Sequence, residues 1–161
     1  PAYALAALSL DIPPEISELP LLEDLRRSIT EIMILDNDLL SYRKEYAAGE
    51  VMHNILTLVM HEKHLDLDAA VAWVVAEHAK RVDRALALWR EVPSLMFDSA
   101  DTEKAVAVYL DHLIHWPRVN ECFTFESGRY FRKDGPRVKW ERVVELVSPE
   151  EMKHAIAASP L

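Results

Sequence analysis

Cysteine and glycine are scarce in this sequence of 161 residues, which contains one cysteine and three glycines. A single cysteine excludes an intramolecular disulfide framework and is typical of a reducing compartment, so we expect a cytoplasmic protein. Phosphate-binding loops of the Rossmann or P-loop kind use several glycines each. Three glycines in the whole chain argue against such loops.

Basic residues are outnumbered, because 18 Lys and Arg face 27 Asp and Glu, for a net charge of −9. Nucleic acids and anionic membrane surfaces attract basic faces, so we expect neither as a partner. No apolar run reaches the roughly 20 residues of a transmembrane helix. The first ten residues, PAYALAALSL, lack a basic leader. We interpret them as the end of a helix from a longer chain, not as a signal peptide.

The chain does have helical periodicity along most of its length, without strand alternation or internal repeats. This pattern predicts an all-α helical bundle that forms a single domain over residues 1–161. The expected helices cover 15–18, 21–46, 51–62, the segment from Asp66 to Glu91, 102–116 and 119–130. Pro117 is expected to end or kink its helix. Arg132 to Pro136 is expected to be a turn, and Ser148 to cap a short terminal helix.

The most informative segment is NDLLSYRKE, residues 37–45, near the end of the long predicted helix. A helix advances about 100° per residue, so Asn37, Ser41 and Glu45 share one stripe. Lys44 lies on the same stripe, whereas Arg43 points elsewhere. Oxygen ligands of this kind suit Mg²⁺, which keeps positions for water and substrate phosphates. Periodicity alone leaves a solvated polar helix face as the alternative.

The same segment resembles the second metal motif of class I terpene cyclases, which has the form Asn/Asp-Asp-Leu/Ile/Val-x-Ser/Thr-x-x-x-Glu. The residues after it, from Gly49 to Asn54, also resemble that family. The resemblance implies that Asn37, Ser41 and Glu45 bind one magnesium ion. It also implies that Lys44 contacts the substrate diphosphate.

A second landmark lies in NECFTFESGRYF, residues 120–131, which resembles the late segment of the family with its Arg-Tyr pair. By that resemblance Arg129 and Tyr130 bind diphosphate and act in catalysis. A guanidinium can grip phosphate oxygens with two hydrogen bonds. Phe123 stands where the family often has Trp, and its ring is expected to face a carbocation. Gly128 stands where an acidic residue is common.

The resemblance covers about residues 10–146 and is closest to sesquiterpene cyclases of mushrooms. It implies the C-terminal half of the class I terpenoid synthase fold. The implied reaction is the magnesium-dependent ionisation and cyclisation of a prenyl diphosphate, with farnesyl diphosphate as the expected substrate. Three magnesium ions are expected in the full-length enzyme, one of them bound by this half. A homodimer is compatible with the sequence.

Three other interpretations were weighed. The aspartate-rich motif of the family lies upstream of this sequence, so this fragment alone is expected to lack a complete ionisation site. A truncated, inactive helical module kept for packing or association is therefore the alternative function. A prenyl-chain-lengthening enzyme fits less well, since such enzymes use two aspartate-rich motifs. A zinc site at His61 and His64, or around His112 and His115, lacks a recognisable zinc motif.

Overall fold

All of the regular secondary structure in residues 10–151, which the computed structural model describes, is helical. This confirms the all-α prediction. None of the helices in that range is both long and apolar enough to cross a membrane. The α-helices are α1 (Pro14–Ser17), α2 (Pro20–Ala48), α3 (Ile55–Lys63), α4 (Leu67–Glu91), α5 (Ala100–Glu126) and α6 (Gly135–Glu141). Single turns of 3₁₀ helix lie at Val51–His53, Val92–Ser94 and Arg132–Asp134.

Helix α2 is the longest element, with 29 residues. Its first position is proline, whose fixed φ suits a helix start, and no glycine or further proline follows within it. Gly49 follows the helix with φ of 77°, a backbone conformation that favours glycine and ends helices. The predicted helix over 21–46 is therefore confirmed, with two further residues at its C-terminal end.

The described residues form two compact units. The first holds residues 10–34 and 76–119. Its buried core draws on the first half of α2, the second half of α4 and the first half of α5. Burial of each large apolar side chain contributes about 1.5–3 kcal/mol. The core residues are Leu22, Leu25, Ile29, Ile32, Ala85, Leu88, Val106, Tyr109, Leu110 and Leu113.

The second unit holds residues 35–75 and 120–151. One apolar cluster joins the end of α2 to α3 and the start of α4 through Tyr42, Leu56, Val59, Ala70 and Val74. A smaller cluster contains Phe125, Phe131 and Val138, with Leu40 and Tyr130 packed against it. Every residue that the sequence nominates for metal or diphosphate binding belongs to this unit.

The predicted continuous helix over 51–62 is wrong, because Asn54 interrupts it. Its backbone is extended, with φ of −77° and ψ of 135°, and its side chain accepts a hydrogen bond from the Leu56 N–H. Asn54 is therefore the N-cap of α3, a position at which asparagine is strongly preferred. Asp66 caps α4 through the Ala69 N–H at 2.8 Å, as the sequence predicts.

The sequence predicts that Pro117 ends or kinks its helix, and the first of these alternatives is wrong, since α5 continues through the proline to Glu126. The kink stays a prediction. Proline removes one hydrogen bond from a helix interior and is tolerated where packing holds both sides. Leu113 before it and Phe125 after it are both buried, at 1% and 9% exposure.

Helix α5 ends before Tyr130, the predicted limit of that helical segment, and residues 127–131 form a turn instead. Gly128 has φ of 74° within this turn, which explains why the helix stops there. The segment Arg132–Pro136, predicted as a turn, contains a 3₁₀ turn and then the start of α6, which the sequence analysis missed.

At the chain ends, the helix assigned to residues 1–10 lies almost entirely outside the described residues. The capping box at Ser148 is present. Its hydroxyl accepts from the Glu151 N–H at 3.2 Å, and the Glu151 carboxylate accepts from the Ser148 N–H at 2.8 Å. The rest of the segment predicted as a terminal helix lies outside the described residues.

Candidate functional site

The three residues predicted to bind metal lie within the uninterrupted helix α2, at positions 37, 41 and 45. Residues four apart in an α-helix occupy the same face, so the helix aligns these side chains over two turns. Asn37 is exposed, Glu45 is half-buried and Ser41 is 1% exposed. The aligned side chains offer one amide oxygen, one hydroxyl and one carboxylate.

Three buried hydroxyl groups have no hydrogen-bond partner among the described residues, those of Ser41, Thr57 and Tyr109. Of these three, Ser41 shares a helix face with Asn37 and Glu45. Most buried hydroxyl groups are hydrogen-bonded, so an unpartnered one needs an explanation. A hydroxyl oxygen that accepts coordination from Mg²⁺ would supply the missing interaction. The Ser41 oxygen therefore fits a hard metal ion on this face.

Glu45 is held by a residue that the sequence analysis did not single out. The Asn54 Nδ2 donates to Glu45 Oε2 at 3.0 Å and to the Asp38 carbonyl oxygen at 2.7 Å. The Asp38 carboxylate accepts in turn from the Ile55 N–H at 2.9 Å. The acidic residue beside Asn37 thus binds the start of α3 through its carboxylate.

Tyr130 lies at the centre of the predicted diphosphate-binding residues. Its hydroxyl donates to Asn37 Oδ1 at 3.3 Å. The Lys44 Nζ lies 5.5 Å and the Arg129 Cζ 5.9 Å from the centroid of its ring, both within cation–π range. The Phe123 ring meets it edge to face at 6.5 Å.

The turn after α5 positions Tyr130 and Arg129. The Ser127 N–H donates to the Phe123 carbonyl at 3.0 Å, and the Arg132 N–H donates to the Gly128 carbonyl at 3.1 Å. The next side chain, Phe131, is 1% exposed and stacks on Phe125 with ring centroids 5.4 Å apart. Burial of that ring anchors the turn, and Tyr130 is held beside α2.

The structure thus places Phe123, Arg129 and Lys44 around the Tyr130 ring. Asn37, on α2 like Lys44, accepts a hydrogen bond from the Tyr130 hydroxyl. The Arg129 side chain is exposed, and Phe123 is 51% exposed. Arg43 points away from this group, as the helix stripe predicts, and its Nε donates to the Glu145 carbonyl at 2.9 Å. The metal, diphosphate and catalytic roles of the nominated residues stay predictions.

Asn54 and Asp38 are the contributors that sequence reasoning missed. The signal was present for Asn54, because asparagine directly before an apolar helical run is a typical N-cap. The contact with Glu45 had no such signal, since it depends on how α3 folds back beside α2. For Asp38, no sequence feature indicated the bond to the Ile55 N–H, which also depends on how α3 packs beside α2.

Within residues 10–151, no three His, Cys, Asp or Glu side chains cluster in a way that could hold a metal ion. Two of the imidazoles considered for zinc, those of His112 and His115, make local contacts instead. The Nδ1 of His112 lies 2.8 Å from the Val108 carbonyl, and that of His115 lies 2.6 Å from the Asp111 carbonyl. The predicted magnesium site contains only one residue of these four types, Glu45, beside Asn37 and Ser41, so it differs in composition from such a cluster.

The first half of the chain matches a known protein family. Residues 1–84 match the family described as "Terpene synthase family 2, C-terminal metal binding". The match covers just over half of the 161 residues and includes the whole of α2. The matched region includes the segment that carries Asn37, Ser41 and Glu45.

Several curated fungal proteins are similar to the chain. Sesquiterpene synthase 14 of Postia placenta is 40% identical over 147 residues, which are 91% of this chain and 41% of that protein. Delta(6)-protoilludene synthase 8 of the same fungus is 38% identical over 151 residues, 94% of this chain and 43% of that protein. A Delta(6)-protoilludene synthase of Cyclocybe aegerita is 33% identical over 160 residues, 99% of this chain and 24% of that protein. The chain spans about two fifths of the length of the first two relatives.

Proposed function

The chain belongs to the terpene synthase family, and we propose that it is the metal-binding part of a class I sesquiterpene synthase that ionises farnesyl diphosphate. The named activities of the fungal relatives support a sesquiterpene product. The alternative, an inactive helical module, has no observation that favours it over the enzyme.

One observation carries the proposal more than the others. Asn37, Ser41 and Glu45 share one face of α2, and the buried Ser41 hydroxyl has no partner among the described residues. These three side chains would hold one Mg²⁺ ion. When bound, the ion would offset the negative charge that develops on the diphosphate as the carbon–oxygen bond breaks.

The residues around Tyr130 would bind the leaving group. The Lys44 ammonium supplies a positive charge beside the metal face, and the Arg129 guanidinium supplies paired N–H donors. Both approach the Tyr130 ring, at 5.5 Å and 5.9 Å. As the bond breaks, both of its electrons leave with the diphosphate, and these cations stabilise that charge.

The carbocation left behind would need a surface without nucleophiles. The Phe123 ring meets this requirement, because the face of an aromatic ring stabilises a cation electrostatically. Its T-shaped contact with Tyr130, at 6.5 Å, keeps it near the diphosphate-binding residues. Cyclisation would end when the cation loses a proton to the diphosphate anion, which would then leave with the cyclic product.

The test uses the complete protein with Mg²⁺ and geranyl, farnesyl or geranylgeranyl diphosphate, followed by identification of the volatile products. We expect farnesyl diphosphate to give a cyclic sesquiterpene. The variant Glu45→Ala should abolish turnover while the helical circular dichroism signal is retained. Glu62→Ala is the matched control, because Glu62 is an exposed glutamate on α3. Full product yield from Glu45→Ala would refute the metal assignment.

A further inference from the structure

The side chain of Asn54 is 2% exposed and makes three hydrogen bonds. Its Oδ1 accepts from the Leu56 N–H at 3.0 Å. Its Nδ2 donates to the Asp38 carbonyl at 2.7 Å and to Glu45 Oε2 at 3.0 Å. Both donor hydrogens of the amide therefore have acceptors.

These contacts allow only one orientation of the Asn54 amide. If the amide were flipped, Nδ2 would face the Leu56 N–H, and Oδ1 would face the Asp38 carbonyl and the Glu45 carboxylate. All three contacts would then oppose like partial charges. The N–H donation to Glu45 is thus fixed by the helix cap.

The backbone around Asn54 is also fixed. Gly49 turns the chain at the end of α2, and the Glu50 N–H donates to the Glu45 carbonyl at 2.9 Å. The Asp38 carboxylate then accepts from the Ile55 N–H, next to Asn54. The backbone on each side of Asn54 is therefore tied to α2, at Glu45 and at Asp38.

We propose that Asn54 is a positioning residue, which orients the Glu45 carboxylate for metal binding. The inference rests on the proposed metal role of Glu45. A carboxylate has two oxygens, so donation to Oε2 fixes the rotation of the group and leaves Oε1 for the metal. Asn54 is uncharged, so it orients the carboxylate without neutralising it.

Capping of α3 explains only one of the three hydrogen bonds that the Asn54 side chain makes, the one from the Leu56 N–H. Capping α3 requires an oxygen acceptor, which serine supplies nearly as well as asparagine. It does not require the two N–H donors that reach α2. Asn54→Ser therefore separates the two roles, because it keeps a capping oxygen and removes the donation to Glu45.

Two further variants sharpen the comparison. Asn54→Asp keeps the shape and the cap, but it places a carboxylate oxygen against Glu45 Oε2. Asp66→Ala is the matched control, because it removes the N-cap of α4, where the Asp66 carboxylate bonds the Ala69 N–H. A role limited to capping predicts that both Asn54 variants, which keep a capping oxygen, retain wild-type Mn²⁺ affinity.

The experiment measures Mn²⁺ binding to the complete protein in the presence of inorganic diphosphate by electron paramagnetic resonance, together with the melting temperature. Groups that orient a metal ligand change metal affinity by about 10–100-fold when replaced. We expect a loss of that size in Asn54→Ser and a larger one in Asn54→Asp. Asp66→Ala should lower the melting temperature and leave Mn²⁺ affinity unchanged.

A combined variant tests whether Asn54 acts through Glu45. In a Glu45→Gln background, Asn54→Ser should add no further loss of Mn²⁺ affinity. Wild-type affinity in Asn54→Ser, an equal loss in Asp66→Ala, or an additive loss in the combined variant would each overturn the inference. If Glu45→Gln itself retains full Mn²⁺ affinity, the proposed metal site fails, and the inference fails with it. Loss in Glu45→Gln without loss in either Asn54 variant would refute the positioning role alone.

Discussion

The Tyr130 hydroxyl donates a hydrogen bond to the Asn37 amide oxygen at 3.3 Å, across 93 positions of sequence. This contact joins the turn after α5 to the first of the three predicted metal ligands. If Asn37 coordinates through Oδ1, then Tyr130 orients it from the diphosphate side. The metal-binding and diphosphate-binding residues would act as one group.

Removal of that hydroxyl should weaken metal binding without unfolding the protein. In Tyr130→Phe the ring keeps its contacts with Lys44 and Phe123, so stability should change by less than about 0.5 kcal/mol. The loss of one hydrogen bond should raise the half-saturating Mg²⁺ concentration by up to about tenfold. Tyr46→Phe, on α2, is the control. An unchanged Mg²⁺ requirement in Tyr130→Phe would show that Tyr130 does not orient the predicted metal ligand Asn37.

Lys44 should contribute to diphosphate binding through its charge. We expect Lys44→Met to raise the KM for the prenyl diphosphate by about tenfold or more, since a charged hydrogen bond contributes about 1.5–3 kcal/mol. Lys44→Arg keeps the charge and should recover much of the affinity.

Lys63 provides the matched control for Lys44. Its Nζ lies 5.1 Å from the centroid of the Trp73 ring, a cation–π contact of the same type as that of Lys44. Lys63→Met should leave the KM unchanged. Equal effects of the two methionine variants would indicate a loss of packing instead of a loss of diphosphate binding.

Gly135 should tolerate no side chain. A Cβ atom there would overlap the backbone carbonyl of Phe125, which cannot move without disturbing the end of α5. We expect Gly135→Ala to destabilise the protein by about 3 kcal/mol. Gly49→Ala, where a Cβ would meet nothing within 4 Å, should cost about 1 kcal/mol from its positive φ alone. Urea unfolding curves compare the two, and equal losses would contradict the clash.

Glu77 should make stability depend on pH. Its pKa is lowered from its ordinary value, mainly by a hydrogen bond from Lys80 at 2.6 Å, with Arg81 adding to the shift. A carboxylate with a lowered folded-state pKa stabilises the fold above its unfolded-state pKa and loses that effect as pH falls. Glu77→Gln should therefore lower the melting temperature at neutral pH, and the difference should vanish in acid. A pH-independent difference would exclude this ion pair as its cause.

Much of the helical content could be predicted from the sequence, because it depends on local features. The apolar spacing and absence of glycine in α2 predicted that helix, and Asp66 marked the start of α4. The break at Asn54 was missed, although its cap is local, because 3₁₀ and α turns share apolar spacing. Continuation through Pro117 depends on packing on both sides of the proline, which the sequence does not display.

The candidate site likewise has one part that the sequence predicts and another that only the structure shows. The alignment of Asn37, Ser41 and Glu45 follows from a four-residue spacing on a helix. The contacts of Tyr130 with α2 and of Asn54 with Glu45 depend on tertiary packing, which no local pattern specifies. The family resemblance of residues 120–131 identified Tyr130 as a candidate, but only the structure shows its hydrogen bond to Asn37.

The most direct measurement is a crystal structure of the complete protein with Mn²⁺ and inorganic diphosphate, with the metal located by anomalous scattering. The account predicts one metal peak bound by oxygen atoms of Asn37, Ser41 and Glu45. Mg²⁺–oxygen distances are about 2.0–2.1 Å, and the distances to the larger Mn²⁺ ion should equal or slightly exceed them. Metal peaks confined to other residues, with the Ser41 hydroxyl still uncoordinated, would contradict it.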